Sequence, residues 1–276
     1  MATVTSTQTK PRFTSQELSA KLTEHITELA EETDAARLSE AMLEYLDLCS
    51  KFHDYSPSNV WLIMLSCPQA THVAGFRKWK SMGRYVRKGE RGIPILAPVI
   101  VKDKDDDGEE KEQLVGFKVV YVFDVSQTEG EDLPEAPNWK SPEQNELLAE
   151  RLIKFAESKG ITVQIKELSG EVQGMSKGGA ILLSPEAGTK TLVHEIAHEL
   201  MHQDEGRPFD RKILELEAES VGYVVAKHFG LEDLASPNYV ALHGASSDLI
   251  MKHLNRIRDT ATQIIKAIEV EEVIKD

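Results

Sequence analysis

Cysteine is scarce in this chain. Cys49 and Cys67 are the only two in 276 residues and form no CxxC pair. That excludes a disulfide framework and points to reduced thiols in a cytoplasmic protein. Long apolar runs are missing too. The longest, around NVWLIML and IPILAPVIV, are too short to cross a bilayer, so no membrane partner is expected. The opening MATVTSTQTKPRF is polar, with no apolar stretch after its basic residues, so no secretory signal is expected. Internal repeats and low-complexity tracts are lacking as well. Positive charge is outnumbered, 32 Lys and Arg against 46 Asp and Glu, for a net charge of -14. As a whole-chain number, that argues against nucleic acid.

The distribution of charge says otherwise. GFRKWKSMGRYVRKGERG holds seven cations, Arg77, Lys78, Lys80, Arg84, Arg87, Lys88 and Arg91, against the single acid Glu90. Cations at this density, interleaved with Phe76, Trp79 and Tyr85, suit a surface that neutralises phosphates while aromatic rings stack on unpaired bases. Trp79 has a core role as its alternative, and the cations could equally pair with acids elsewhere. Gly83, Gly89 and Gly92 are expected at tight turns that present the cations along a curved β edge.

Apolar residues make up 41% and charged residues 28%, ordinary values for a soluble chain long enough for two domains with real cores. The first segment reads as helices. Ser15 is expected to cap one carrying Leu18, Leu22, Ile26 and Leu29, and another starts near Asp34 with Leu38, Met42, Tyr45 and Leu46. Ser56 and Pro57 supply an N-cap and first helical position for the run through Leu65. Two β-rich runs then flank the acidic KDKDDDGEEKE, predicting a hairpin with a solvated tip. Residues 126–142 are rich in Pro, Gly and acids and mark the domain boundary. Beyond them a helix over 143–158 stops at Gly160, followed by the strands ITVQIKEL and AILLS and the helix TKTLVHEIAHELMHQ. A long helix opens at Asp210 and closes at Gly230, and Ser236 with Pro237 and Ser246 or Ser247 begin two more. The expected architecture is α+β in two domains. Residues 1–130 form a mixed helix and β-hairpin domain, and residues 143–276 a mainly helical one with a small sheet.

The sharpest motif is His194-Glu195-Ile196-Ala197-His198. Histidines four apart leave one face of a helix one turn from each other, so both can reach one metal ion. With Glu195 this is HExxH, the zinc-hydrolase pattern in which the glutamate handles the proton of a water that zinc polarises. Leu192, Val193, Ile196, Ala197, Leu200 and Met201 place an apolar face behind the polar one. A third ligand should come from a second helix, and ILELEAESVGY offers Glu215, Glu217 and Glu219. Glu215 and Glu219 share a face and Glu217 points elsewhere. Glu215 is expected as the ligand and Glu219 as a group holding an imidazole N–H, with the reverse assignment open. His202 lies one turn beyond His198 and is expected as a supporting histidine. The strand AILLS is placed to pair with an extended peptide by β-addition, which would make the substrate a polypeptide.

Both halves also resemble something known. FHDYSPSNVWLIMLSCPQATHVAGFRKWKSMGRYVRKGERGIPILAPV, followed by VYVFDVSQTEGEDLP, is similar to the N-terminal single-stranded-DNA-binding domain of ArdC-type antirestriction proteins. TLVHEIAHELMH with ELEAESVGYVVAKHFGL resembles their C-terminal zincin-like, gluzincin-like metallopeptidase domain, related to the ImmA/IrrE peptidases. Where many relatives carry a glycine-containing tyrosine loop before the asparagine matching Asn59, this chain has Tyr55 followed by SPSN. The resemblance implies a protein of plasmids, phages or other mobile elements that protects incoming DNA from restriction. It also implies zinc held by His194, His198 and Glu215, with Glu195 as the catalytic glutamate. Two other readings fit the same motifs. One is an ImmA-like protease that removes a repressor, and the other a DNA-shielding protein whose zinc is only structural.

Overall fold

A computed structural model describes residues 12–273 except 33–34, 105–109, 134–141, 171, 204–209, 232–236, 238 and 243–244. The chain divides into two compact units. One comprises Met1–His25 and Trp61–Glu131, the other Ile26–Val60 and Asp132–Asp276. The sequence division placed all of residues 1–130 in one domain. Residues 26–60 instead cluster with the C-terminal half, because the stripe Leu38, Met42, Tyr45, Leu46 and Cys49 is fully buried and packs against a long C-terminal helix.

Helix α1 (Ser15–Glu31), which begins in the first unit, opens one residue earlier than expected. Its capping box is made by Thr14 and Glu17, with Thr14 N donating to Glu17 Oε2 at 2.7 Å and Glu17 N to Thr14 Oγ1 at 3.2 Å. The expected hairpin is β3 (Ile93–Lys104) with β4 (Glu110–Asp124), antiparallel and joined on the far side of β4 by β1 (Val73–Gly75). Its acidic tip, 105–109, lies outside the described residues. The short helix α4 (Phe76–Ser81) leads into β2 (Arg84–Val86), which pairs with β5 (Thr128–Gly130). Gly130 must be glycine here, since a Cβ on it would stand 2.3 Å from the Gly83 carbonyl oxygen. Asp124 fastens the corner by accepting from the backbone N–H groups of Thr71, His72 and Ser126.

The second unit holds α2 (Ala35–Lys51), α5 (Pro142–Ser158), α6 (Thr189–Met201), α7 (Arg211–His228) and α8 (Ser247–Val273). Tyr223 on α7 donates to Asp47 Oδ1 on α2 at 2.5 Å. The helix α3 (Pro57–Ser66) begins in this unit, and Ser56 Oγ accepts from Asn59 N as an N-cap should. Asp210 caps α7 as expected, accepting from Lys212 N, and Ser246 caps α8 through Leu249 N. The start expected at Ser236 lies outside the described residues, and a single 3-10 turn, Tyr239–Leu242, follows it. A three-stranded sheet runs β6 (Thr162–Ile165), β8 (Ala180–Leu183), β7 (Gly174–Ser176), parallel then antiparallel. The strand AILLS is therefore central, with both its edges taken, and cannot accept a peptide. The edges open to addition are those of β6 and β7.

Candidate functional site

Helix α6 buries Leu192, Val193, Ile196, Ala197 and Met201, which turns His194 and His198 towards α7. Their Nε2 atoms lie 3.0 Å apart, and Glu215 Oε2 stands 3.5 Å from one and 3.6 Å from the other. Donors at tetrahedral zinc–ligand distances are separated by roughly 3.4 Å, so this triangle has the size a bound ion requires. Two imidazoles and one carboxylate also make up a donor set suited to a divalent transition metal.

The tautomers can be worked out from the partners. Glu217 is 0% exposed, and three donors hold its carboxylate. His202 Nε2 lies 2.9 Å from Oε2, while His253 Nδ1 at 2.7 Å and Arg256 at 3.1 Å meet Oε1. Burial alone would raise its pKa. The bonds from His202 and His253 and the charge of Arg256 outweigh that and bring it to about 2. An ionised carboxylate only accepts, so His202 Nε2 carries a proton, and in the neutral ring Nδ1 is bare. His198 Nδ1 lies 2.9 Å from that bare nitrogen and must donate to it. His198 Nε2 is then a lone pair aimed at His194 and Glu215, as a metal ligand must be. Burial, then the neighbouring His194, hold the His198 pKa down to about 4, which keeps it neutral.

The supporting carboxylate is thus Glu217 rather than Glu219. Glu219 acts on His194 only through its charge and makes no hydrogen bond to it among the described residues. Helical periodicity turned Glu217 away because it took α7 to face α6 alone. The helix also packs against α8, which brings in His253 and Arg256, and His202 sits at the C-cap of α6 with φ -120, off the helical face. His202 lies between His198 and Glu217, in contact with both.

Glu195 faces the sheet. It is buried, and β7 crosses it so closely that a Cβ on Gly174 would lie 2.7 Å from Glu195 Oε1. Burial pushes its pKa up to about 7, opposed by a bond from the Ser176 backbone and reinforced by the charges of Glu215 and Glu199. One turn on, Glu199 Oε1 accepts from Ser176 Oγ, Lys177 N and Gly178 N, and Oε2 from Gly179 N. Sequence reading passed over Glu199 and Gly174. The signal for Glu199 was the repeated His-Glu pair at 194–195 and 198–199.

The basic segment separates into two classes. Arg77, Lys78, Lys80, Lys88 and Arg91 are exposed and make no ion pair among the described residues. Arg84 is instead spent on Thr128 Oγ1 and the carbonyls of Thr128 and Glu131, and Arg87 on Glu90 and the Ser126 carbonyl. These two fasten β2 and its following turn to β5. Trp79 is 1% exposed and its Nε1 donates to the Phe123 carbonyl, so it is core and cannot stack on a base. Tyr85, 53% exposed, and Phe76, 55% exposed, are the rings that solvent reaches.

Residues 14–123 match the family model of the N-terminal domain of anti-restriction factor ArdC. A relative from Bacillus anthracis, the uncharacterized protein pXO2-81, is 28% identical over 83% of this chain. The chain spans about half of that relative's length, 48%. Among solved structures, the metal-free antirestriction ArdC protein from the R388 plasmid is 22% identical, with a TM-score of 0.47, over 79% of this chain and 84% of that one. Its Mn(II)-bound structure is 18% identical, with a TM-score of 0.46, over 81% of this chain and 97% of that one.

Proposed function

We propose that this chain is an ArdC-type antirestriction protein that holds single-stranded DNA on its first unit and carries a zinc metallopeptidase centre on its second. The observation that carries the catalytic half is the convergence of His194 Nε2, His198 Nε2 and Glu215 Oε2 beside a buried Glu195. The match of residues 14–123 to the anti-restriction family, together with five exposed cations that make no ion pair among the described residues, supports the DNA half.

A bound zinc ion would supply Lewis-acid polarisation of a water and of a peptide carbonyl. The chain supplies the rest. A carboxyl with a pKa near 7 takes a proton and returns it with little cost in either direction, so Glu195 is suited to accept from the attacking water and deliver to the leaving amine. In this reading β7, an edge strand whose Gly174 lies against Glu195, is the strand that pairs with an extended peptide.

The test is protection of DNA from restriction in cells, comparing wild type with Glu195→Ala. Loss of protection with DNA binding and zinc content intact is the expected result. Full protection by the variant would leave the DNA-shielding reading, with zinc structural. That second reading gives no role to Glu195, buried beneath β7 and next to His194 in the chain.

A further inference from the structure

Apart from the site on α6 and α7, the described residues bring together another group able to ligate a metal ion: His53, His228 and Glu269, whose ligand atoms lie within 4.8 Å of one another. His53 follows α2, His228 ends α7 and Glu269 lies near the end of α8. All three belong to the second unit.

The hydrogen bonds prepare one of these nitrogens for a cation. His228 Nδ1 is 2.8 Å from the Ser50 carbonyl oxygen, which can only accept, so Nδ1 carries the proton and Nε2 of the neutral ring is bare. That bare nitrogen lies 3.1 Å from Glu269 Oε1, a second acceptor. Two acceptors at hydrogen-bond distance need a positive charge to hold them there. His53 stacks edge-on against His228, ring centroids 4.9 Å apart, and is 7% exposed. Its buried Nδ1 has no hydrogen-bond partner among the described residues, the nearest acid being Asp54, whose Oδ1 stands 4.0 Å away. A protonated His228 would satisfy both the Ser50 carbonyl and Glu269 but would leave His53 Nδ1 without a partner. A cation accounts for both. Lys266, whose charge reaches His53, is taken up by Asp54 Oδ1 at 2.6 Å.

We propose that His53, His228 and Glu269 form a second binding site, for a divalent first-row transition-metal cation. Two imidazoles and a carboxylate select such an ion over magnesium or calcium, which prefer oxygen-only shells. The ligand atoms must close from within 4.8 Å to roughly 3.4 Å, a movement within reach of side-chain rotation. Because the ligands come from the turn after α2 and from two C-terminal helices, the ion clamps residues 26–60 into the second unit and stabilises it.

The experiment uses full-length protein stripped by chelator, reloaded with Zn²⁺ and dialysed, with zinc per chain and the zinc-dependent rise in Tm as readouts. The His194→Ala/His198→Ala variant should keep about one ion per chain, and adding His53→Ala or Glu269→Gln should remove it together with the Tm rise. Glu269→Gln keeps a group that can bond His228, so it reports on ligation even if His53→Ala fails to fold. The proposal is overturned if the His194→Ala/His198→Ala protein holds no zinc. It is equally overturned if that protein's ion survives both further changes. Failure of the α6 site is read separately, as wild type and His194→Ala/His198→Ala holding the same amount.

Discussion

Replacing Glu217 by Gln should damage stability and metal affinity together. The substitution keeps the size of the side chain but removes the charge that His202, His253 and Arg256 share. A carboxylate brought from an ordinary value of 4.5 to about 2 is worth on the order of 3 kcal/mol at neutral pH, similar to the 3–5 kcal/mol typical of a broken buried ion pair. The amide also presents a donor where Arg256 or His253 already donates. With the folded pKa below the unfolded one, this contribution is full above about pH 4.5 and disappears as pH falls through about 2. The second effect runs through His202. Once its tautomer is no longer dictated, His198 Nδ1 loses its fixed acceptor and zinc should bind about 10–100-fold more weakly. Denaturant unfolding of metal-free protein at neutral pH and near pH 2 measures the first effect, and chelator competition the second. Reduced stability with wild-type zinc affinity would refute the chain of hydrogen bonds from Glu217 to His198. Unchanged stability would refute the energetic role assigned to Glu217.

Gly174→Ala should abolish restriction protection as Glu195→Ala does while zinc content stays at the wild-type level, because the added Cβ displaces Glu195 and touches no ligand; normal protection would place the chemistry elsewhere. For single-stranded DNA binding by the full chain, the five exposed cations predict a logarithmic salt slope of about -3.5, and Lys78→Ala with Lys80→Ala should reduce its magnitude by about 1.4. Arg84→Ala should leave the slope near its wild-type value and lower Tm; a flattened slope at constant Tm would show that Arg84 reaches phosphate. Tyr85→Ala should weaken binding by about 1–3 kcal/mol at any salt if the ring stacks on a base, and wild-type affinity would exclude stacking there.

Elements announced by local chemistry were legible. Pro57 behind Ser56, Asp210 before α7 and Gly160 after α5 each act within a few residues, so the sequence alone places those helix ends. The pairing of the two histidines was legible for the same reason, since helical spacing fixes His194 relative to His198. What was not legible depends on partners distant in sequence. Trp79 looks like a stacking residue among cations until β4 supplies the Phe123 carbonyl that receives its N–H. Arg84 and Arg87 look free until β5 arrives, and α2 looks like part of an N-terminal domain until α7 covers its stripe. Glu217 was set aside because periodicity describes one helix face, whereas a helix packed on two sides has two faces that matter.

The His-Glu pair repeated one turn apart on α6 shows how environment divides identical groups. Glu195 and Glu199 sit on the same side of the helix, both buried and both under the β7 segment. For Glu199 burial would raise the pKa, but Ser176 Oγ and the amides of Gly179, Gly178 and Lys177 surround the carboxylate and bring it below its ordinary value. It is held ionised as an anchor, fixing the turn between β7 and β8 to the helix. Glu195 has only the Ser176 backbone against the same burial, and its pKa goes up to about 7. Two carboxyls whose surroundings drive their pKa values apart are how one site keeps a fixed charge and a mobile proton side by side. The anchor also serves the acid. Because Glu199 grips residues 176–179, the strand leading into that turn is fixed and Gly174 is held against Glu195.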